Sequence, residues 1–186
     1  FTKDIIRDIM DGYLGNFFEH SGQIVSLGSA VAVWLALTAL GAVVVGRHRI
    51  REATVLYGWA VVSFVFTTLG VFTPVPFTYV AVGFAGLAVV AGVVIVRRGE
   101  ALLPEGSLRI ALLAAPLLVL VSAMVASQWD EFSDWLISPR LLLTLDTFPD
   151  DSNKHLSGTL AAYPYGWHYV TYLVSRLAGR LVENAG

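Results

Sequence analysis

The chain has 186 residues, 56% of them hydrophobic and only 14% charged, with a formal net charge of −2. That charge content is far below the roughly 25% of an ordinary soluble domain, so a water-exposed globular fold is excluded. With no cysteine, disulfides, thiolate metal sites and cysteine nucleophiles are excluded too. There is no basic stripe interleaved with aromatics, which removes nucleic acid as a partner.

The charges are clustered. No charged side chain or His lies between His20 and Arg47, between Glu52 and Arg97, or between Arg109 and Asp130. A bilayer core needs about 20 apolar residues per helix, and these three gaps hold four such stretches. The expected fold is all-α, a polytopic membrane helix bundle of four to five transmembrane helices plus an extracytoplasmic interfacial segment. Its setting is a membrane, with lipids as partners and a bacterial inner (plasma) membrane as the expected location.

Residues 1–22 form an extracytoplasmic lead-in. Ile5, Ile6, Ile9 and Met10 recur at helical spacing among Asp4, Arg7, Asp8 and Asp11. This pattern fits either an amphipathic helix at the membrane surface or a loop packed on neighbouring protein. The charges exclude the apolar core of a signal peptide, and the start at Phe1 is read as that of a trimmed or partial chain.

Residues 23–128 are the four-helix transmembrane region. The first span runs from about Gly22 to Val45 and stops at a basic turn with Arg47, Arg49 and Arg51. The second runs from about Ala53 to Phe72. Pro74 and Pro76 break the apolar run, because proline removes a donor and clashes inside a helix. The third, from about Phe77 to Val96, stops at Arg97-Arg98. The fourth runs from about Leu108 to Ser127 through Pro116, which membrane helices tolerate.

Cytoplasmic loops carry an excess of Lys and Arg. The Arg47–Arg51 and Arg97–Arg109 loops therefore face the cytoplasm, and the uncharged Thr73–Pro76 turn faces outward. Gly28 with Ala32, Ala81 with Ala85, and Ala88 with Gly92 are small-residue pairs suited to close helix contacts.

Residues 129–165 change character. They open with Trp129-Asp130-Glu131-Phe132-Ser133-Asp134-Trp135 on the predicted outer face. Leu136 to Leu145 has the composition of a short interfacial helix, interrupted near Pro139. A polar loop with Asp150, Asp151 and His155 follows, and residues 166–186 begin a fifth helix. A carboxylate emerging from the membrane among aromatics is partly desolvated, which suits a general base. A second carboxylate beside it suits a hard divalent cation. The bland alternative is an ordinary acidic boundary with tryptophan anchors.

In order and placement, this acidic segment and the later Tyr163-Pro164-Tyr165-Gly166-Trp167 resemble the GT-C superfamily of polytopic membrane glycosyltransferases. The resemblance covers about residues 129–175. It implies transfer of a sugar from a polyprenyl-phosphate donor on the extracytoplasmic side. Asp130 would be the base that activates the acceptor hydroxyl, and Glu131 its paired acid. A divalent metal at Asp130 and Glu131 is implied as an assistant, and Asp150, Asp151 and His155 are second-tier candidates for metal or phosphate contacts outside the matched motifs. Tyr163 and Trp167 fall in the matched Tyr-Pro segment as substrate-binding positions. Arg140 either meets an anionic phosphate group or snorkels to the interface. The chain differs from the family pattern in placing four spans before the acidic segment.

Two other classes fit the composition. One is a non-catalytic subunit of a larger membrane complex, such as an energy-converting or photosynthetic assembly, with other membrane subunits as partners. The other, a transporter fragment, ranks last, because the spans hold no ionisable residue.

Overall fold

The computed structural model describes residues 21–46, 50–123, 136–149, 165–183 and 185. The lead-in at residues 1–20, the arginine turn at 47–49, the acidic segment at 124–135 and the polar loop at 150–164 lie outside the described residues.

Among the described residues the protein is all-helical. Helix α1 is Ser21–Val45, α2 is Thr54–Phe72 after a single 3-10 turn at Arg51–Ala53, and α3 is Phe77–Arg97. Then come α4, Ser107–Ala123, α5, Ile137–Leu145, and α6, Gly166–Ala178. Three stretches are long and apolar enough to cross a membrane: Gly22–Val45, Arg51–Phe72 and Phe77–Arg97. Helix α4 has 17 residues, about 26 Å at 1.5 Å per residue, against a hydrocarbon core of about 30 Å. Helix α6 is shorter still, 13 residues, and Gly179 ends it in the left-handed conformation at φ 70°. Residues 166–186, expected to begin a fifth helix, thus hold a helix of 13 residues that ends before Gly179.

The breaks follow from local chemistry. The end of α2 is closed by Thr73, whose backbone N–H and side-chain hydroxyl both donate to the Leu69 carbonyl, at 2.9 and 2.6 Å. Pro74 follows the C-cap Thr73, where proline cannot continue the helix, and Pro76 becomes the N-cap residue of α3, at a helix start where N–H groups have no intrahelical partner. Pro139 does not interrupt α5. It lies in the first turn, where a missing N–H costs nothing, and the helix runs unbroken from Ile137 to Leu145.

Helix α1 lies between α2 and α3 and packs broadly on both, whereas α2 and α3 touch each other little. Ala39 and Ala42 of α1 cluster with Ala91 and Ile95 of α3. The C-terminal ends of α1 and α3 are thus neighbours, and Arg51, Arg97 and Arg98 share one end of the bundle, the basic end. The Thr73–Pro76 turn marks the opposite, turn end.

Helices α1 and α2 cross with their backbones in contact. A Cβ on Gly58 would lie 1.9 Å from the Leu37 carbonyl oxygen, and one on Gly41 would lie 2.0 Å from that of Thr54. Of the expected small-residue contacts, Ala88 is buried, but Gly28 is exposed and a Cβ there would meet nothing within 4 Å.

Helices α5 and α6 pack on each other and close the turn end. The core there is aromatic: Phe66, Phe77, Tyr169 and Tyr172 are all at most 1% exposed. The Phe66 ring lies 5.3 Å from Phe77 and 5.1 Å from Tyr169, separations at which tilted aromatic pairs attract beyond simple burial.

Candidate functional site

Two features dominate the turn half of the bundle: a carboxylate clip and an aromatic groove. Both depend on the path of α6. Its first residue, Gly166, accepts a hydrogen bond from Trp59 Nε1 at 2.8 Å. Trp59 lies thirteen positions before the end of α2 at Phe72, so this bond forms about 20 Å from that end. One turn on, the Tyr169 hydroxyl pairs with Thr67 Oγ1 at 2.9 Å. Beyond the C-terminus of α6, Arg180 donates to Ser26 Oγ in the first turns of α1, at 2.7 Å from Nη2. Helix α6 therefore rises from within the bundle toward the turn end.

The clip centres on Asp146, which ends α5 in the left-handed conformation at φ 58°. Its backbone carbonyl accepts from Phe77 N at 2.7 Å. Its carboxylate accepts from Thr78 N at 3.1 Å and from Thr78 Oγ1 at 2.9 Å, so it caps α3 from a distant part of the chain. The unpaired N–H groups and partial positive charge of a helix start favour an anion there. The same carboxylate accepts from Arg176 Nη2 at 2.7 Å and from the Tyr172 hydroxyl. Burial acts to raise the Asp146 pKa, but the hydrogen bonds from Tyr172, Arg176 and Thr78 outweigh it and hold the carboxyl below its ordinary value. For Tyr172, burial and the hydrogen bond to Asp146 push the pKa up. The clip's donors and acceptors satisfy one another, which marks it as a structural lock.

The groove runs along one face of α2. Trp59, Ala60, Ser63, Phe64, Thr67, Thr68 and Val71 form one wall, while Phe148, Pro149, Tyr165, Gly166, Trp167 and Tyr169 form the other. From Trp59 to Val71 it is about 18 Å long, with a volume of about 1070 Å³. No charged side chain lines it among the described residues. Its polar points are hydroxyls, and that of Ser63 is buried with no partner among the described residues. At one end the Trp59 and Trp167 rings meet at 5.4 Å. Apolar clefts with few polar points are the common form of a small-ligand site; this groove is open, with Phe64, Val71 and Trp167 of its lining strongly exposed.

Comparison with family models, curated proteins and solved structures finds no match for this chain.

Of the residues singled out from sequence, Trp167 lies in the groove wall, 57% exposed. Arg140 does not join it. It sits on the exposed side of α5, with Nη2 3.5 Å from Glu183 Oε1, an exposed pair of the kind worth about 0–1 kcal/mol. Asp130, Glu131, His155 and Tyr163 lie outside the described residues. Among the described residues, no three His, Asp or Glu side chains converge. Asp146, Tyr172 and Arg176 were not singled out, and neither were Trp59 and Ser63. A signal for the last two existed: Trp59, Ser63 and Thr67 recur every fourth residue and so share one face of α2.

Proposed function

We propose that this chain is part of a membrane-embedded glycosyltransferase that takes a sugar from a polyprenyl-phosphate donor on the extracytoplasmic side. The observation that carries the reading is the groove between α2 and α6: apolar, lined among the described residues by no charged side chain, and lying along a helix long enough to cross the membrane. A prenyl chain has the chemistry of that lining. The groove's lining runs to Thr68, Val71, Phe148 and Pro149 near the turn end, and includes Tyr165, Gly166 and Trp167 of the Tyr-Pro segment.

In this reading Asp130 removes the proton of an acceptor hydroxyl, and the oxygen attacks the anomeric carbon. The bond from that carbon to the donor phosphate breaks, and polyprenyl phosphate leaves with the electron pair. Glu131 supports Asp130. The two carboxylates, with His155, offer the donors a divalent ion would use. The positive-inside rule supports a cytoplasmic basic end and a transfer site at the turn end. Helix α4, extended toward Ser127, supplies a fourth crossing, α6 is the fifth helix, and the setting is a bacterial plasma membrane.

One observation favours the second reading, a non-catalytic subunit of a larger membrane complex. Helix α4 exposes apolar side chains around its circumference, including Leu108 at 73%, Ile110 at 68% and Leu113 at 83%. Membrane helices usually pack on partners. The two readings separate in proteoliposomes. A transferase moves labelled sugar from a polyprenyl-phosphate donor to an acceptor on the side away from Arg97 and Arg98. A subunit does no transfer when purified alone and co-purifies with a fixed set of membrane proteins.

A further inference from the structure

We propose that α6 is a re-entrant helix: it starts at mid-depth in the bilayer, runs toward the turn end, and leaves the residues after it on the same side of the membrane as the Thr73–Pro76 turn. This inference rests on how α6 sits against α2 and the start of α3, and not on the transferase reading.

Three contacts fix the depth and direction of α6. Its first residue meets α2 at Trp59 and Ser63: the Gly166 carbonyl accepts from Trp59 Nε1 at 2.8 Å, and a Cβ on Gly166 would lie 3.6 Å from Ser63 Oγ. Three residues on, the Tyr169 hydroxyl pairs with Thr67, one α2 turn further along. Three residues later, Tyr172 donates to Asp146, whose carboxylate caps the start of α3 beyond the turn. The two helices therefore run side by side in the same direction. Ser63 lies nine positions before Phe72, so α6 begins about 14 Å below the end of α2. That is close to half of a hydrocarbon core of about 30 Å.

Length and charge agree with this placement. The 13 residues of α6 extend about 20 Å, enough for half the core and the interface but not for a crossing. No Asp, Glu, Lys or Arg lies in α6 before Arg176, in its last turn, and charge is costly inside a bilayer. Beyond Gly179 the chain is tied back to the turn end, through Arg180 to Ser26 in the first turns of α1 and through Glu183 to Arg140 of α5. A helix that starts inside the membrane leaves its first N–H groups without helical partners. Such a start is tolerated where protein surrounds it. Helix α6 meets that condition: it packs on α1, α2 and α5, and His168 and Tyr169 of its first turn are buried.

The chain has no cysteine, so single-cysteine variants report side and depth directly. In sealed vesicles of one orientation, a membrane-impermeant maleimide labels Glu183→Cys from the same side as Val75→Cys, and Arg98→Cys from the opposite side. Trp167 and Leu177 are both exposed on α6 and lie ten residues apart. A spin label on Trp167→Cys is reached by oxygen and shielded from a water-soluble paramagnetic complex, and one on Leu177→Cys lies about 15 Å nearer the surface. Val170→Cys replaces Trp167→Cys if that variant does not fold, with a depth difference of about 10 Å. Labelling of Glu183→Cys from the Arg98 side makes α6 a crossing and overturns the proposal. Equal depths for the two spin labels, as in a helix lying flat on the surface, overturn it too. The labelling pattern is independent of whether sugar is transferred, so failure of the transferase reading leaves it unchanged.

Discussion

Asp146 and Thr78, 68 residues apart in the chain, meet at the first turn of α3, where the carboxylate accepts from both the backbone N–H and the hydroxyl of Thr78. This contact fixes the end of α5 to the start of α3. Through Tyr172 and Arg176 it also fixes α6, and with it one wall of the groove.

Replacing Asp146 with Asn keeps the shape but removes the charge that Arg176 and the helix start both favour. The expected loss is about 1–3 kcal/mol, the range for a charge-assisted hydrogen-bond centre left partly unsatisfied. Thr78→Val should cost less, about 0.5–1.5 kcal/mol, because only the hydroxyl bond is lost. Thermal unfolding in detergent measures both, and equal or absent effects would show that the clip does not hold α5 and α6.

The same carboxylate sets a direction for pH. Its folded-state pKa is lowered, so its contribution is present above the unfolded carboxylate value of about 3.9 and is lost as pH falls through the lower, folded value. Stability attributable to Asp146 should therefore be flat from neutral to mildly acidic pH and fall only below the ordinary carboxylate range. Comparing wild type with Asp146→Asn across pH isolates it. A difference between the two that vanishes at mildly acidic pH would contradict the assignment.

The crossing of α1 and α2 tolerates no side chain at Gly58. A Cβ there meets the Leu37 carbonyl oxygen at 1.9 Å, so Gly58→Val must force the helices apart, at a cost of about 1–3 kcal/mol or more. Gly83→Ala, where a Cβ meets nothing within 4 Å, should change stability little. Unfolding midpoints of the two variants in one detergent make the comparison, and a Gly58→Val protein as stable as Gly83→Ala would refute the close crossing.

The spans were legible because charge avoidance over such lengths has one common physical cause, the bilayer. The seam between them was not. Four-residue spacings of small residues are abundant in chains rich in Ala, Val and Gly. Choosing Gly41 and Gly58 over Gly28 and Ala32 requires knowing which small residues lie at matching height once the turn is made. Residues 166–186 were read only as the start of a fifth helix. The stop of α6 at Gly179 and its rise from Trp59 depend on contacts with α1 and α2. Asp146 gave no signal, since its partners lie 68, 26 and 30 residues away. Trp167, singled out from its place in the Tyr-Pro segment, packs against Trp59 in the groove wall. Arg140 was drawn into the site by its charge alone, whereas it pairs with Glu183 on the exposed side of α5.

The most direct measurement is sugar transfer by Asp130→Asn in proteoliposomes, with folding checked by the unfolding midpoint and donor binding measured separately. Removal of a general base costs about 10²–10⁴-fold in rate, so the account predicts a protein that folds and binds the polyprenyl-phosphate donor as the wild type does but transfers sugar at least a hundredfold more slowly. Transfer at the wild-type rate by that variant would contradict it.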